Sequence, residues 1–406
     1  MTVSANLSHI ALMLDQIILK MLGPIFRVIG LGLRSPAKTL LITPKEGAPI
    51  LHFKRWRDVF RLVASPELTV GEAFAHGHLT IEDGDIYDVS LRAFMAQVPL
   101  PKFAQCCLKM MRPVHYFMQG LTPKKSKANV AAHYDLGNAL YELFLDDDKQ
   151  YSCAYFKNPA QDLATAQQQK KDHIIKKLMA APGMTALDIG CGWGGLSLDM
   201  ARAGMVVTGI TLSEEQFTTA EKRGWDSGLN VRFKLQDYRQ EGGHYDRVVS
   251  VGMFEHVGKA KFQEYFDQVT KNLKADGIAL IHTIGRPTVP REVNRFITKY
   301  IFPGGYVPTL SQIAKVAERS GLLITDVECL YVHYAETLRH WRMNFLANRD
   351  KAVALYDERF ARIWEFYLAG CEASFRAKEM MVFQVQLRKL DAPHSWTRDY
   401  MYQADL

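Results

Sequence analysis

Paired cysteines, long uninterrupted apolar runs and, over one stretch, acidic residues are all missing from this 406-residue sequence. Its six cysteines are scattered, and no two of them have the spacing that closes a zinc or redox site. We therefore expect no metal site. Cysteine usage of this kind fits the reducing cytoplasm best.

The apolar opening segment, residues 10–33, is interrupted by Asp15, Lys20 and Arg27, and Pro24 is expected to break it. A membrane-spanning helix needs roughly 20 mostly apolar residues. A signal peptide would place its charges first and a small-residue cleavage site last. We expect neither in this segment.

Acidic residues are absent between Val89 and Tyr134, whose seven lysines and arginines equal the +7 net charge of the whole chain. Apolar residues such as Phe103, Tyr116 and Met118 lie between these cations. Each cation close to an anionic bilayer contributes about 1 kcal/mol, so we hypothesise that this docking stretch binds the inner face of the cytoplasmic membrane peripherally. A solvated helix between domains is the alternative. Nucleic acid is not an expected partner, because no recognised binding motif accompanies the patch.

From about residue 180, short β-branched runs alternate with helical stretches, which indicates a parallel sheet. Two later runs are expected to complete it. The fold class is therefore α/β, with a doubly wound sheet. The candidate strands are residues 184–190, 205–211, 231–237, 245–252, 277–285, 322–330 and 380–388.

The chain before this region mixes apolar helical stretches with short runs such as "LLIT" (40–43) and a turn near "EDGD" (82–85). We expect a smaller, mainly helical unit over residues 1–126 and a larger α/β domain over residues 127–406. An aromatic-rich segment at about 286–320 interrupts the alternation. Because segments of that length usually cover a site, we predict a lid there.

The first candidate strand ends in "LDIGCGWGG", which places Gly190, Gly192 and Gly194 at alternate positions before a helix. Glycines there allow a tight turn and a close approach of the backbone to a ligand at the carboxyl edge of the sheet. A structural turn or a dinucleotide fold is the alternative. The spacing G-x-G-x-G differs from the dinucleotide G-x-G-x-x-G and favours S-adenosylmethionine.

The second candidate strand lacks the acidic residue that usually binds ribose hydroxyls, so these contacts are expected from elsewhere, with Gln216 as the candidate. The third ends in "LQDYR", where a polar group and a flat ring could hold adenine. The candidates at these two strand ends are Thr211, Leu212, Gln216, Gln236, Asp237 and Tyr238.

Seven ordered motifs resemble the cyclopropane-fatty-acyl-phospholipid synthases. The likeness is dense from about 130 to 310 and looser through "FYLAGCEASFRAKEM" (366–380). The motifs are "HYDLGNALYELFLDDDKQYSCAYF", "LDIGCGWGG", "GITLSEEQ", "LQDYR", "VSVGMFEHVG", "LIHTIG" and "KYIFPGGYVP". The amino-terminal unit is similar, through "LTVGEAFAHGHLTIED" (68–83), to the lipid-binding domain of the same family.

The resemblance implies a seven-stranded class I methyltransferase that transfers a methylene group from S-adenosylmethionine to the double bond of an unsaturated phospholipid. Relatives that act on mycolic acids largely lack the amino-terminal unit, so its presence favours a phospholipid substrate. The resemblance also adds Tyr151, Ser152 and Asp188 to the cofactor residues. The oligomeric state is open, with a homodimer as one alternative.

The family holds a bicarbonate ion in its active site, and the resemblance assigns that role residue by residue. The matching positions here are Cys153, Glu255, His282, the backbone of Ile284, and Tyr334. Without the surrounding motifs, the alternative interpretation of Glu255 is an acid at the start of a helix, and that of His282 is a buried histidine in the core. His256 is interpreted as structural, and Cys153 as an ion ligand, because alkene methylation needs no covalent enzyme adduct.

The implied chemistry demands a dry, precisely shaped site. Holding an alkene in line with a sulfonium methyl contributes about 7–11 kcal/mol. The resulting carbocation would be stabilised by aromatic faces at about 2 kcal/mol each, and a base within hydrogen-bond reach must then take a proton. Plain core packing is the alternative for each of the candidate aromatic residues, Tyr151, Tyr155, Phe156, Phe254 and Tyr300.

Three alternatives remain open at this point. Methyl or methylene branching of the acyl chain shares the first step and omits ring closure. Methylation of a small amine or a nucleobase is a more distant enzyme function. A lipid-binding relative without catalysis is the alternative from another class, and the intact Glu255, His282 and glycine loop weigh against it.

Overall fold

The structure is a computed structural model that describes residues 2–96, 137–393 and 395–402. Most of the predicted docking stretch, Cys106 and Cys107, and the predicted boundary at residue 126 lie outside these residues. Membrane docking and the division at 126 therefore stay predictions.

The chain divides into two compact units. The first contains residues 2–96, Asn294–Ile301 and Phe345–Glu379, and the second contains residues 137–293, Phe302–Asn344 and the chain from Met380. Segments from the carboxyl-terminal half thus belong to the first unit, which a division at one point of the sequence does not describe.

The described residues form helices and strands with the following bounds. The helices are α1 Thr2–Ile29, α2 Trp56–Ala64, α3 Pro66–Ala75, α4 Ile86–Met95, α5 Asn138–Tyr141, α6 Leu163–Lys177, α7 Gly195–Arg202, α8 Glu214–Ser227, α9 Phe262–Asn272, α10 Arg295–Tyr300, α11 Leu310–Arg319, α12 Tyr331–Ala347, α13 Arg349–Leu355 and α14 Glu358–Arg376. The strands are β1 Gly32–Arg34, β2 Leu40–Ile42, β3 Ile50–Phe53, β4 Leu79–Glu82, β5 Thr185–Ile189, β6 Val206–Thr211, β7 Val231–Leu235, β8 Tyr245–Val251, β9 Leu273–Gly285, β10 Leu322–Cys329 and β11 Met381–Lys389.

In the first unit, α1 continues through Pro24 to Ile29, so the predicted break at Pro24 is wrong. Proline removes one backbone N–H and crowds the preceding turn, which costs roughly 3 kcal/mol in an unsupported helix. Here Leu22 and Phe26, on either side of the proline, are both buried, and their packing supports the helix across it. No helix in the described part of the chain combines the length and the apolar character that crossing a membrane requires.

The same unit carries a small sheet beside its helices. Within the described residues it has four strands in the order β2-β1-β3-β4. The predicted "EDGD" turn connects β4 to α4, and Asp85 caps the helix by accepting the N–H of Asp88 at 2.9 Å.

All seven strand segments predicted from the sequence form one sheet of the second unit. In the described chain its order is β10-β11-β9-β8-β5-β6-β7, with β5 to β9 parallel to one another and β11 antiparallel to both of its neighbours, β9 and β10. Successive residues enter core clusters on opposite faces, as Val248 and Val249 do in β8. Burial on both faces explains the nearly continuous apolar runs. The doubly wound α/β fold is confirmed.

The order of the strands positions the site. The chain runs from β5 outward through β6 and β7, then returns to β8 on the other side of β5. At such a reversal the connections leave in opposite directions and open a crevice at the carboxyl ends of the strands. The glycine loop follows β5 at this crevice.

The segment predicted as a lid, about 286–320, is divided between the two units, because Asn294–Ile301 belongs to the first. Its helix α11 contributes Ile313 and Ala317 to the core cluster that also holds Val385 and Leu387 of β11. This helix therefore belongs to the layer that covers the sheet. A lid function for the rest of the segment stays a prediction.

Candidate active site

A pocket lies at the carboxyl ends of β5, β6, β7 and β8. It brings together 25 residues from six separate stretches of the second unit, 11 of which the sequence assigns to the cofactor. Predicted cofactor residues that line it are Tyr151, Ser152, Asp188, Gly190, Gly192, Thr211, Leu212, Gln216, Gln236, Asp237 and Tyr238. Gly194 is not part of this lining: it caps the start of α7, and a Cβ on it would come within 2.8 Å of Phe233.

The glycine loop has the backbone that a bound ligand would require. Gly190 and Gly192 have φ of +81° and +56°, a region that other residues rarely adopt. A Cβ on Gly190 would lie 2.8 Å from the side chain of Met253, whereas a Cβ on Gly192 would meet no atom within 4 Å. Gly192 therefore borders open space that a side chain would partly fill, as a cradle for a cofactor requires.

Asp188, at the end of β5, is held in one orientation. Its Oδ2 accepts the hydroxyl hydrogen of Ser197 at 2.7 Å. Burial raises its pKa to about 6, although this hydrogen bond and the nearby Lys170 ammonium act in the opposite direction. A cationic or hydrogen-bonding ligand in the pocket would favour the ionised form of Asp188.

Lys170 is a pocket residue that the sequence reading missed. Its Nζ donates to Gln150 Oε1 at 2.6 Å and to Ser152 Oγ at 2.8 Å, and burial lowers its pKa to about 8. A lysine ammonium has hydrogens to donate and no lone pair, so Ser152 Oγ is the acceptor of this bond. The hydroxyl hydrogen of Ser152 is therefore left for another partner. Because Ser152 lines the pocket, that partner can be a ligand. No local pattern distinguishes Lys170 from the charged residues around it in α6.

The polar residues after β6 and β7 line the pocket while already bonded to protein. Gln216 Oε1 accepts from Thr211 Oγ1 at 3.0 Å, and Gln236 donates to Glu241 at 3.1 Å. Asp237 accepts from the backbone and guanidinium of Arg239 at 2.6–3.0 Å. These bonds position the residues against the pocket wall.

Aromatic rings pack against Tyr151, which lines the pocket. The ring centroid of Tyr151 lies 5.3 Å from that of Tyr141 and 5.1 Å from that of Trp341, and Tyr334 packs edge-on against Trp341 at 5.8 Å. Trp193 also lines the pocket, and its ring N–H donates to Asn138 at 2.7 Å.

Of the aromatic residues predicted to face a cation, only Tyr151 lines this pocket. Tyr155 is stacked between His173 and His333, at 4.4 and 4.9 Å. The other three have partners elsewhere: Phe156 stacks on His340, Phe254 packs among the rings of the sheet core, and Tyr300 donates to Glu72 in the first unit. Local motifs indicate which residues are aromatic but not what their rings contact.

Glu255 and His282 are buried at the ends of neighbouring parallel strands. Glu255 Oε1 accepts the backbone N–H of Ile284 at 2.6 Å, while its Oε2 is buried without a partner among the described residues. Burial raises the pKa of Glu255 to about 7. His282 lies on β9 opposite Val251 of β8, and burial lowers its pKa to about 3. At neutral pH the imidazole is therefore uncharged, and the Glu255 carboxyl is present in both its protonated and its ionised form.

The remaining predicted ion ligands make contacts of their own within the protein. The Ile284 N–H that was assigned to an ion donates instead to Glu255. The Cys153 thiol is buried, donates to the Ala154 carbonyl at 3.3 Å and has a raised pKa, as expected for a neutral thiol. His256, interpreted as structural, lines the cofactor pocket, and burial lowers its pKa to about 4. Among the described residues no His, Cys, Asp and Glu side chains cluster as a metal site would.

Comparison with known proteins connects this geometry to a family. Residues 122–385 match the family described as mycolic acid cyclopropane synthetase. The chain is 39% identical over 326 residues to the cyclopropane-fatty-acyl-phospholipid synthase of Escherichia coli, covering 80% of this chain and 84% of that protein. It is 43% identical over 289 residues to a probable fatty acid methyltransferase of Pseudomonas putida, covering 68% and 73%.

Solved structures agree with this relationship. The structure of the mycolic acid cyclopropane synthase CmaA1 complexed with SAH and CTAB superposes with a TM-score of 0.63 at 35% identity. The match covers 66% of this chain and 99% of that chain. The shared part is therefore about two thirds of this chain rather than the whole molecule.

Proposed function

The chain belongs to the mycolic acid cyclopropane synthetase family and is an S-adenosylmethionine-dependent methyltransferase, and we propose that it adds a methylene group across the double bond of an unsaturated phospholipid acyl chain. The product would be a cyclopropane fatty acid. The observation that carries this proposal is Glu255: a buried carboxyl with one fixed oxygen, one free oxygen and a pKa near neutrality, at the edge of the sheet where the cofactor pocket lies.

A phospholipid substrate is supported by the extent of the likeness. The E. coli phospholipid synthase matches 80% of this chain, whereas CmaA1 matches 66%. Part of the additional coverage falls outside the region shared with the mycolic acid enzyme. We infer that this additional part of the chain binds a lipid aggregate rather than a carrier-bound chain.

S-adenosylmethionine fits the pocket at the carboxyl edge. When bound, it supplies an electrophilic methyl group on a sulfonium centre. The open space beside Gly192 accommodates a ligand, and the Ser152 hydroxyl, oriented by Lys170, is available to donate to a carboxylate. Asp188, with a pKa of about 6, would become fully ionised beside the positive charge of the cofactor.

The proposed chemistry requires that Glu255 and His282 be shielded from water. Ring closure requires that a proton leave the newly attached carbon, and water must be excluded because it would trap a cationic intermediate. Glu255 is 9% exposed and His282 is 2% exposed. A neutral imidazole and an uncompensated carboxyl can hold or move a proton there without carrying it to bulk solvent.

Bicarbonate fits this part of the site on the donor set. When bound, it supplies a small base. Glu255 Oε2, which has no partner in the described structure, would accept from the bicarbonate O–H, and the His282 ring N–H would donate to the ion. Cys153 and Tyr334 are the other residues of the proposed set. The Ile284 N–H would act indirectly in this arrangement, because it orients the Glu255 carboxyl and does not itself bind the ion.

The decisive experiment incubates purified protein with S-adenosylmethionine and vesicles of an unsaturated phospholipid, followed by mass spectrometry of the acyl chains. We expect cyclopropane product. Glu255→Gln should reduce it strongly, and Glu264→Gln, which changes a surface acid paired with Lys261, should not. Unmodified lipids, under conditions where the protein binds S-adenosylmethionine, would refute the proposed function.

A second candidate is methyl or methylene branching without ring closure, which the 43% identity to the Pseudomonas putida protein named as a probable fatty acid methyltransferase favours. It shares the methyl transfer and differs in which proton is lost. The same mass spectrometry separates the two, because a branched chain and a cyclopropane chain fragment differently.

A further inference from the structure

Gln384 and His282 form a directly opposed pair on two antiparallel strands. Residue 384 of β11 is in register with residue 282 of β9, and both side chains are buried, at 0% and 2% exposure. The Gln384 amide nitrogen lies 3.1 Å from His282 Nδ1. The two residues are 102 positions apart, so only the sheet brings them together.

We propose that Gln384 is a positioning residue that fixes the tautomer of His282, with the ring hydrogen on Nε2. Burial holds His282 neutral by lowering its pKa to about 3, so the ring carries one hydrogen. The Gln384 amide donates to Nδ1, which must therefore be the unprotonated nitrogen. The hydrogen then lies on Nε2, the nitrogen that does not face Gln384, and Nε2 is a donor.

The charged groups near His282 affect its pKa but do not replace Gln384 as its hydrogen-bond partner. Burial is the main cause of the lowered pKa, and Lys170, Lys177 and His173 lower it further. Glu328 opposes them, but it accepts from His173 at 2.7 Å and pairs with Lys177. Glu328 therefore has its own partners, and the amide of Gln384 is the group that hydrogen-bonds the His282 ring.

The opposite orientation of the amide would reverse the role of the histidine. Gln384 Oε1 is buried without a partner in the described part of the chain. Turned by half a rotation, it would accept from Nδ1–H and leave Nε2 as an acceptor. An Nε2 acceptor would repel an anion, whereas an Nε2 donor binds one. The orientation of one buried amide thus decides which ligand charge the His282 ring can bind.

The inference deepens the proposed function, since it rests on His282 contacting an anion or polar group in that reaction. Its structural part is independent, because the tautomer is measurable without any substrate. Gln386, two residues along β11, offers a matched control. It is also a buried glutamine, and it donates to the Lys177 carbonyl at 2.6 Å and to Tyr400 at 2.8 Å, with no bond to His282.

The test records two-bond ¹H–¹⁵N spectra of the histidine rings in the wild-type protein, in Gln384→Glu and in Gln386→Met, with His282→Asn to assign the signals. We expect Nε2–H in the wild type and in Gln386→Met. In Gln384→Glu, recorded at a pH high enough to ionise the introduced carboxyl, the carboxylate can only accept from Nδ1, so we expect Nδ1–H or a doubly protonated ring. Gln384→Leu serves as a second variant, in which residue 384 makes no hydrogen bond and therefore favours neither ring nitrogen of His282 as the protonated one.

In the lipid assay, Gln384→Glu and Gln384→Leu should lower kcat by roughly 10- to 100-fold, the range typical of residues that orient a functional histidine. The KM for S-adenosylmethionine should stay within about twofold, and Gln386→Met should lose stability without this kcat effect. An Nδ1–H signal in the wild type, or an unchanged tautomer in Gln384→Glu, overturns the proposal. If no lipid product forms with any variant, the proposed function fails while the spectra still decide the tautomer.

Discussion

Glu255 Oε1 accepts the backbone N–H of Ile284 at 2.6 Å, so a carboxyl that follows β8 is tied to the end of β9. The bond fixes one oxygen and leaves the other buried without a partner among the described residues. A carboxyl oriented by backbone keeps its direction when its protonation state changes. Glu255 is therefore both rigid and able to titrate near neutral pH.

Glu255→Gln should stabilise the fold at pH 8 while it reduces catalysis. The folded-state pKa of about 7 lies above the unfolded value, so ionised Glu255 destabilises the protein, and this destabilisation is complete above pH 7. We expect Gln to raise the free energy of unfolding by about 1–3 kcal/mol at pH 8 in urea titrations. The advantage should shrink as pH falls from 8 to 5, because Glu255 then becomes protonated. An advantage that is equal at both pH values would contradict the raised pKa.

Lys170→Met should weaken S-adenosylmethionine binding by about 10-fold or more, because a charged hydrogen bond that orients Ser152 is worth about 1.5–3 kcal/mol. Calorimetric titration measures this directly. Lys171→Met is the control, since Lys171 is also largely buried and pairs with Asp148 and Asp199 but does not line the pocket. Both variants should lose stability, and equal losses of cofactor affinity would show that Lys170 has no specific role.

Gly192→Ala should reduce cofactor affinity beyond its effect on the fold. Gly228 provides a matched comparison, because it has φ of +63° against +56° for Gly192, and a Cβ at either position would meet no atom within 4 Å. Both substitutions should cost about 1–2 kcal/mol of stability through the left-handed backbone. Only the Gly192 variant should bind S-adenosylmethionine more weakly, since only its methyl group enters the pocket. Equal affinity in the two variants would mean that the cofactor does not approach Gly192.

Neutralising the predicted docking stretch should abolish binding to anionic vesicles at low salt, with an expected loss of about 1 kcal/mol per cation. Co-sedimentation with vesicles of an anionic phospholipid measures it. The residues to change to Gln are Lys109, Arg112, Lys124, Lys125 and Lys127.

The control for docking removes the same number of positive charges from exposed lysines elsewhere. The chosen positions are Lys157, Lys222, Lys271, Lys315 and Lys351. Sedimentation should survive in this variant if binding depends on the local stretch. Loss of binding in both variants would point to net charge alone, and retention in both would remove the docking hypothesis.

The local pattern of residue types was sufficient to predict most of the fold of the second unit. All seven strands of the second unit form where the sequence pattern predicted them, and in the central strands β5, β6, β8 and β11 nearly every residue is buried, as burial on both faces of the sheet demands. The glycine loop after β5 was predictable for a similar reason, since positive φ at Gly190 and Gly192 restricts the residue type. The continuation of α1 through Pro24 was not predictable, because the packing of Leu22 and Phe26 outweighs the local preference of proline to end a helix.

The sequence by itself determined the strands of the second unit, the position of the glycine loop and the family to which the motifs belong. Only the tertiary structure decided the hydrogen-bond partners: Lys170 for Ser152, Ile284 for Glu255 and Gln384 for His282. The physical reason is that strand formation depends on neighbours along the chain, whereas the direction of a buried hydrogen bond depends on groups that are 18, 29 and 102 positions apart and meet only after folding.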